Sequence, residues 1–122
     1  MSYDIDLVNP ETEEVIVLDN MHHITGGTYR VGGNDEAHFN ITYNYSKFFK
    51  ETLGENGIRS IYGKTCVESI PILMEAAQKL GMDVDDDYWA PTEGNARVAL
   101  LNLVKLATLV AEKTPEAIWA GD

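Results

Sequence analysis

At 122 residues the chain has the size of one domain, and dividing it in two would leave cores too small to hold. Apolar residues at 44% and charged residues at 24% exclude wholesale disorder, and a single cysteine, Cys66, excludes an intramolecular disulfide. Twenty acidic residues against nine Lys and Arg give a formal charge of −11, which disfavours direct contact with nucleic-acid phosphates and anionic membranes.

The first residues carry neither a basic patch nor an apolar run, so no signal peptide is expected. The longest apolar stretch, residues 96–111, is broken by Asn102, Lys105 and Thr108, and the expected location is the cytoplasm. Tyr3, Ile5 and Leu7 alternate with Asp4 and Asp6, the period of a half-buried strand. Asn9-Pro10 and the acidic residues after it supply turn chemistry, and residues 15–18 then return as the second strand of a hairpin. A third strand is predicted over residues 28–31 between Gly26-Gly27 and Gly32-Gly33-Asn34-Asp35, and a fourth over residues 37–43.

After Asn44 the period changes. Tyr45, Phe48, Phe49 and Leu53 fit a short helix ended by Gly54, and residues 58–62 read as extended or irregular. Thr65 and Glu68 have capping-box spacing, while Ser69 with Pro71 offers a competing helix start. Ile70, Leu73, Met74, Ala77 and Leu80 form that helix's apolar face up to Gly81. The last helix starts after Thr92 and runs to about residue 112, apolar over more than one face, which means central burial or a subunit contact. Trp119 is expected to fold back onto the domain. Strands first and helices after make the class α+β, with about four N-terminal antiparallel strands and two or three helices in a single domain, 1–122.

No catalytic motif stands. Gly63-Lys64-Thr65 resembles the end of a phosphate-binding loop, but the glycine needed five positions earlier is Ile58. Asp83, Asp85 and Asp87 open like a calcium loop, but Tyr88 and Gly94 occupy its glycine and glutamate positions. His22 and His23 point to opposite faces of a strand, and with His38 they make no metal spacing. Cys66, at a helix start, favours either thiolate chemistry or burial as a small apolar residue. Neither a metal nor a cofactor is expected.

Rings, amides, hydroxyls and cations are mixed in four segments: residues 23–30, 40–46, 58–65 and 87–89. Such groups stack a base and hold phosphate oxygens. Arg30, Arg59 and Lys64 are cations in an otherwise acidic chain, Tyr43, Tyr45 and Tyr62 offer stacking faces, and Asn44, Thr65 and His23 offer hydrogen bonds. These nine residues are the expected ligand-binding set, with Arg59 the principal one because its fork grips phosphate bidentately.

The same segments resemble small uncharacterised proteins of bacteriophages and prophages. The shared pieces are His23-Ile24-Thr25-Gly26-Gly27-Thr28-Tyr29, residues 40–46, Gly57-Ile58-Arg59, Tyr62-Gly63-Lys64-Thr65, Glu68-Ser69-Ile70-Pro71, Asp87-Tyr88-Trp89, Thr92-Glu93-Gly94-Asn95-Ala96 and Trp119-Ala120-Gly121-Asp122. The resemblance implies a viral accessory setting in a bacterial host. In that setting the first expectation is a non-enzymatic homo-oligomer that sequesters a small nucleotide-like anionic signal. The alternatives are an acidic, nucleic-acid-mimicking, anti-CRISPR-like inhibitor of a host defence protein, and a nucleotide-processing enzyme using His23 or Cys66.

Overall fold

The computed structural model describes residues 2–26 and 33–122. Strand β1 (Ser2–Val8) is the centre of a three-stranded antiparallel sheet of order β4-β1-β5. On one side β4 (His38–Thr42) runs from Ser2 opposite Thr42 to Asp6 opposite His38. On the other, β5 (Ile118–Gly121) runs from Ile5 opposite Gly121 to Val8 opposite Ile118. The alternation in β1 works as a strand's period requires. Tyr3, Ile5 and Leu7 are buried with Phe39, Ile41 and Trp119, while Asp4 and Asp6 face outward beside His38 and Asn40.

The turn predicted after β1 is present. Asn9 Oδ1 accepts from the amides of Glu11 and Thr12, and the main chain closes from Asn9 N to Glu14 O at 2.9 Å. The returning chain then departs from the expected hairpin. It meets β1 only at a Val8–Val15 bridge and the Ile16 N to Leu7 O bond. It continues as β2 (Val17–His22), paired with β3 (Asn34–Glu36) in a separate two-stranded ribbon. The physical reason is occupancy, since β4 and β5 already saturate most of β1. The strand predicted over residues 28–31 lies outside the described residues, whereas the one over 37–43 is β4.

A 3-10 turn, Tyr43–Tyr45, follows β4, with the Thr42 hydroxyl accepting from Asn44 N. Helix α1 (Ser46–Leu53) ends at Gly54, whose φ of +103° suits glycine. Residues 57–61 form a second 3-10 turn, where extended or irregular chain was expected over residues 58–62. Ile58 and Ile61, three apart, are both buried, and a three-residue period places them on one side.

The Thr65–Glu68 capping box prevails over the Ser69-Pro71 start, so helix α2 (Cys66–Gln78) carries Pro71 inside it. Helix α3 (Glu93–Ala111) begins at Thr92, whose hydroxyl accepts from Asn95 N. Ala76 and Ala77 of α2 and Ala96, Ala99 and Ala107 of α3 let the two helices pack closely, with Leu73, Leu100, Leu103 and Leu106 filling the core. By length and composition α3 is apolar enough to cross a membrane, and half of that window is buried inside the fold. Leu100, Leu103, Leu106 and Val110 of this helix are buried, while Val98 and Leu109 are left exposed.

The expected fold-back of Trp119 is a full strand. β5 lies between β1 and residues 63–66, through Gly63 N to Trp119 O, Trp119 N to Lys64 O and Cys66 N to Ala117 O. The Trp119 indole N–H donates to Ser69 Oγ at 2.7 Å, and that hydroxyl donates to Cys66 O at 2.8 Å. Removing the acceptor leaves a buried indole N–H without a partner. Ser69→Ala should therefore lower unfolding free energy by about 1–3 kcal/mol in urea titration. An unchanged midpoint would show that this link is not structural.

Candidate functional site

Of the nine residues expected to bind a ligand, the eight that are described fall into more than one group. Arg59, Tyr43 and Tyr62 come together around Tyr3, a residue outside the expected set. The Arg59 guanidinium lies 5.0 Å from the Tyr3 ring centroid, and the Tyr3 and Tyr43 rings meet edge-on at 4.4 Å. Arg59 Nε donates to the main-chain oxygen of Asp122 at 2.8 Å. The Tyr62 hydroxyl is the one buried side-chain polar atom without a partner among the described residues. Burial, aided by the charge of Asp122, pushes its pKa up to about 12. Gly121 makes room for it, because a Cβ there would sit 2.5 Å from the Tyr62 oxygen.

Lys64 and Thr65 lie at the start of α2, where the amides that could cradle an anion are already occupied. Gly63 N bonds Trp119 O, Lys64 N bonds Ile61 O, Cys66 N bonds Ala117 O, and Thr65 N and Glu68 N close the capping box. Arg30 lies outside the described residues. His23 is exposed just beyond β2.

Asn44 and Tyr45 act elsewhere: they hold the connection between α2 and α3. Asn44 Nδ2 donates to Trp89 O at 2.7 Å, and the Tyr45 hydroxyl donates to Tyr88 O. Tyr45 is buried, and desolvation together with the charge of Asp87 pushes its pKa up to about 12, so the donor stays protonated. From α3, the buried Asn95 satisfies three main-chain groups. Its Oδ1 accepts from Asp85 N at 3.0 Å, and its Nδ2 donates to Asp87 O and Ala90 O at 3.1 Å.

The loop is also clamped against the first turn of α3. Asp83 Oδ1 accepts from Gly94 N, and a Cβ at Gly94 would lie 2.6 Å from the main chain of Asp83 and Val84. Asp85 and Asp87 accept from the amides of Asp87 and Trp89, which folds the acidic run into consecutive turns. The three aspartates that resemble a calcium loop are thus engaged with main-chain amides. Among the described residues no group of three His, Cys, Asp or Glu side chains is arranged to hold a metal.

Every residue from 81 to 89 is exposed, including Met82 at 75%, Val84 at 60%, Trp89 at 41% and Tyr88 at 36%. The Tyr88 and Trp89 rings pack together, 5.0 Å between centroids. Beneath the loop an open cleft of about 160 Å³ runs between it, α3 and residues 25–26. Sequence reading singled out Asp87-Tyr88-Trp89 but missed Asn95 and Gly94 as the loop's supports. The available signal was the alternation of Met82 and Val84 with aspartates in a stretch with no helical period.

The other reactive candidates are structural. Cys66 is buried, its thiol directed at the carbonyls of Thr114 and Pro115, and burial raises its pKa. His22 is held between Glu36 O and Ile24 N. His38 bonds Asp6 at 2.7 Å and faces Asp4 at 3.7 Å.

No protein family, curated protein sequence or solved structure matches this chain.

Two outcomes follow from this geometry. The hydrogen bond to Asp6, opposed by burial and reinforced by the charges of Asp6, Asp4 and Glu36, raises the His38 pKa. A raised folded-state pKa stabilises fully below the unfolded value of about 6.5 and loses that contribution as pH rises through the folded value. Melting temperature should therefore fall over that window, and His38→Gln should flatten the fall; equal slopes would refute the pairing. Gly94→Ala forces the Asp83–Val84 main chain away from α3 and should cost about 1–3 kcal/mol, the scale of overpacking. It should also shift the emission of exposed Trp89, with buried Trp119 as internal reference, whereas identical melting and emission would show the clamp to be loose.

Proposed function

We propose that this protein is a non-enzymatic binding protein that docks its acidic aromatic loop, residues 82–89, onto a positively charged surface of another protein. The observation that carries the reading is the support beneath the loop. Asn44, Tyr45 and Asn95 satisfy its main chain from below, so carboxylates and rings are presented outward without having to be ordered on binding. Such pre-organisation removes part of the entropic cost of association. Trp89 and Tyr88 belong to the residue types that dominate interface energetics, and the aspartates steer a cationic partner and repel nucleic acid. In the phage setting that the sequence resembles, this is an inhibitor presenting nucleic-acid-like charge to a host defence protein. The burial of the Cys66 thiol weighs against the enzymatic alternative.

A second reading is supported by Arg59. Its Nε is tied to Asp122 and its face rests on Tyr3, while its two terminal nitrogens make no hydrogen bond or ion pair among the described residues. That is a fork set to grip a small nucleotide-like anion beside tyrosine rings. Against it, the main-chain amides around Lys64 and Thr65 are already engaged with the last strand and the capping box.

A fluorescent peptide of alternating lysine and leucine, with a glutamate–leucine control, separates the readings. The protein should bind the basic peptide in a salt-sensitive way, and Asp86→Asn with Trp89→Ala should weaken binding roughly tenfold, about 1.4 kcal/mol. Glu11→Gln with Glu14→Gln removes charge from a different turn and should have little effect. Equal losses in both double variants would mean that net charge alone is read and would end the docking proposal. Calorimetric titration of ATP into wild type and Arg59→Lys tests the second reading, which falls if neither binds.

A further inference from the structure

The cleft beside the loop gives the docking surface a specific anchor, an inference that rests on the docking reading above. Val84 of the loop and Val98 of α3, both substantially exposed, line it together with Tyr88 and Asp85. One Asp85 oxygen accepts from Asp87 N, while the other has no partner among the described residues. The remaining polar groups are largely committed: Asn95 to the loop, Asn102 Nδ2 to Thr25 O, and the Tyr45 hydroxyl to Tyr88 O. Between Lys79 and Arg97 the chain carries no lysine or arginine against Asp83, Asp85, Asp86, Asp87 and Glu93.

We propose that this cleft receives one lysine or arginine side chain from a basic segment of the partner protein. The chemistry selects that occupant over a purely apolar one. A long aliphatic stem covers Val84 and Val98, and its charged head meets the free oxygen of Asp85 beside the Tyr88 ring. A leucine or phenylalanine would leave the Asp85 carboxylate without a counter-charge, and an anion would be repelled by the four aspartates. The loop thus supplies long-range attraction and the exposed rings, while the cleft supplies register.

The test uses the lysine–leucine peptide and a second peptide in which its central lysine is norleucine, which keeps the stem and removes the charge. Wild type should prefer the lysine form by about tenfold. Asp85→Asn, which retains the acceptor for Asp87 N, should lose that preference, and so should Val98→Lys, in which the chain's own lysine fills the cleft. Melting curves establish that each variant is folded, and Asp85→Asn decides the matter if Val98→Lys is not. If the loop variant Asp86→Asn/Trp89→Ala loses binding while Asp85→Asn still prefers lysine, the cleft assignment is wrong and the docking reading survives. If wild type binds neither peptide, both fall together.

Discussion

β1 has a neighbour along both edges, and most of the architecture follows from that saturation. With β4 occupying Ser2–Asp6 on one side and β5 occupying Ile5–Val8 on the other, little of the strand remains open for the chain that returns from the Asn9 turn. β2 is consequently turned away to pair with β3, and the last strand is secured among the first elements. Unmet main-chain groups on a buried strand are costly, so a strand reached from both sides is a stable solution. The Trp119–Ser69 hydrogen bond then fastens this sheet to α2, and Cys66 is sealed beneath the same crossing.

The end of β4 carries this order into the candidate site. Its last residue, Thr42, caps a 3-10 turn whose three residues diverge: Tyr43 goes to Tyr3, whereas Asn44 and Tyr45 go to the carbonyls of Trp89 and Tyr88. The acidic loop is thus supported from the sheet side by the 3-10 turn after β4 and from the helix side by Asn95. Four aspartates in five residues repel one another, which would favour an extended, solvated segment. Hydrogen bonds from Gly94, Asp87 and Trp89 amides to three of them offset that repulsion, and the positive end of α3 favours carboxylates at its first turn. The outcome is a compact loop that keeps negative charge and aromatic surface exposed together.

Strand and helix boundaries were legible wherever one local rule governed them. The alternation in β1, the Asn9 turn, the Thr65–Glu68 capping box and the Thr92 cap each depend on residues within a few positions of one another, and each is present. Residues 58–62 read only as extended or irregular because the short run Ile58-Arg59-Ser60-Ile61 fits extended chain and a 3-10 turn equally well. Burial of Ile58 and Ile61 on one side decided between them. β5 was missed as a strand because Ile118-Trp119-Ala120 has no partner nearby in sequence.

The amino-acid sequence by itself determined the α+β order, the apolar faces of the helices, the acidic charge and the kinds of side chain available for binding, because all of these are properties of residue type and local spacing. Only the tertiary structure decided which of those side chains meet. It brought Arg59, Tyr43 and Tyr62 together through Tyr3, engaged the amides around Lys64 and Thr65 with β5, and sent Asn44, Tyr45 and Asn95 to the underside of one loop. Each of those pairings spans many residues along the chain. It depends on how strands find edges and how helices pack, and no periodicity within a short window encodes that.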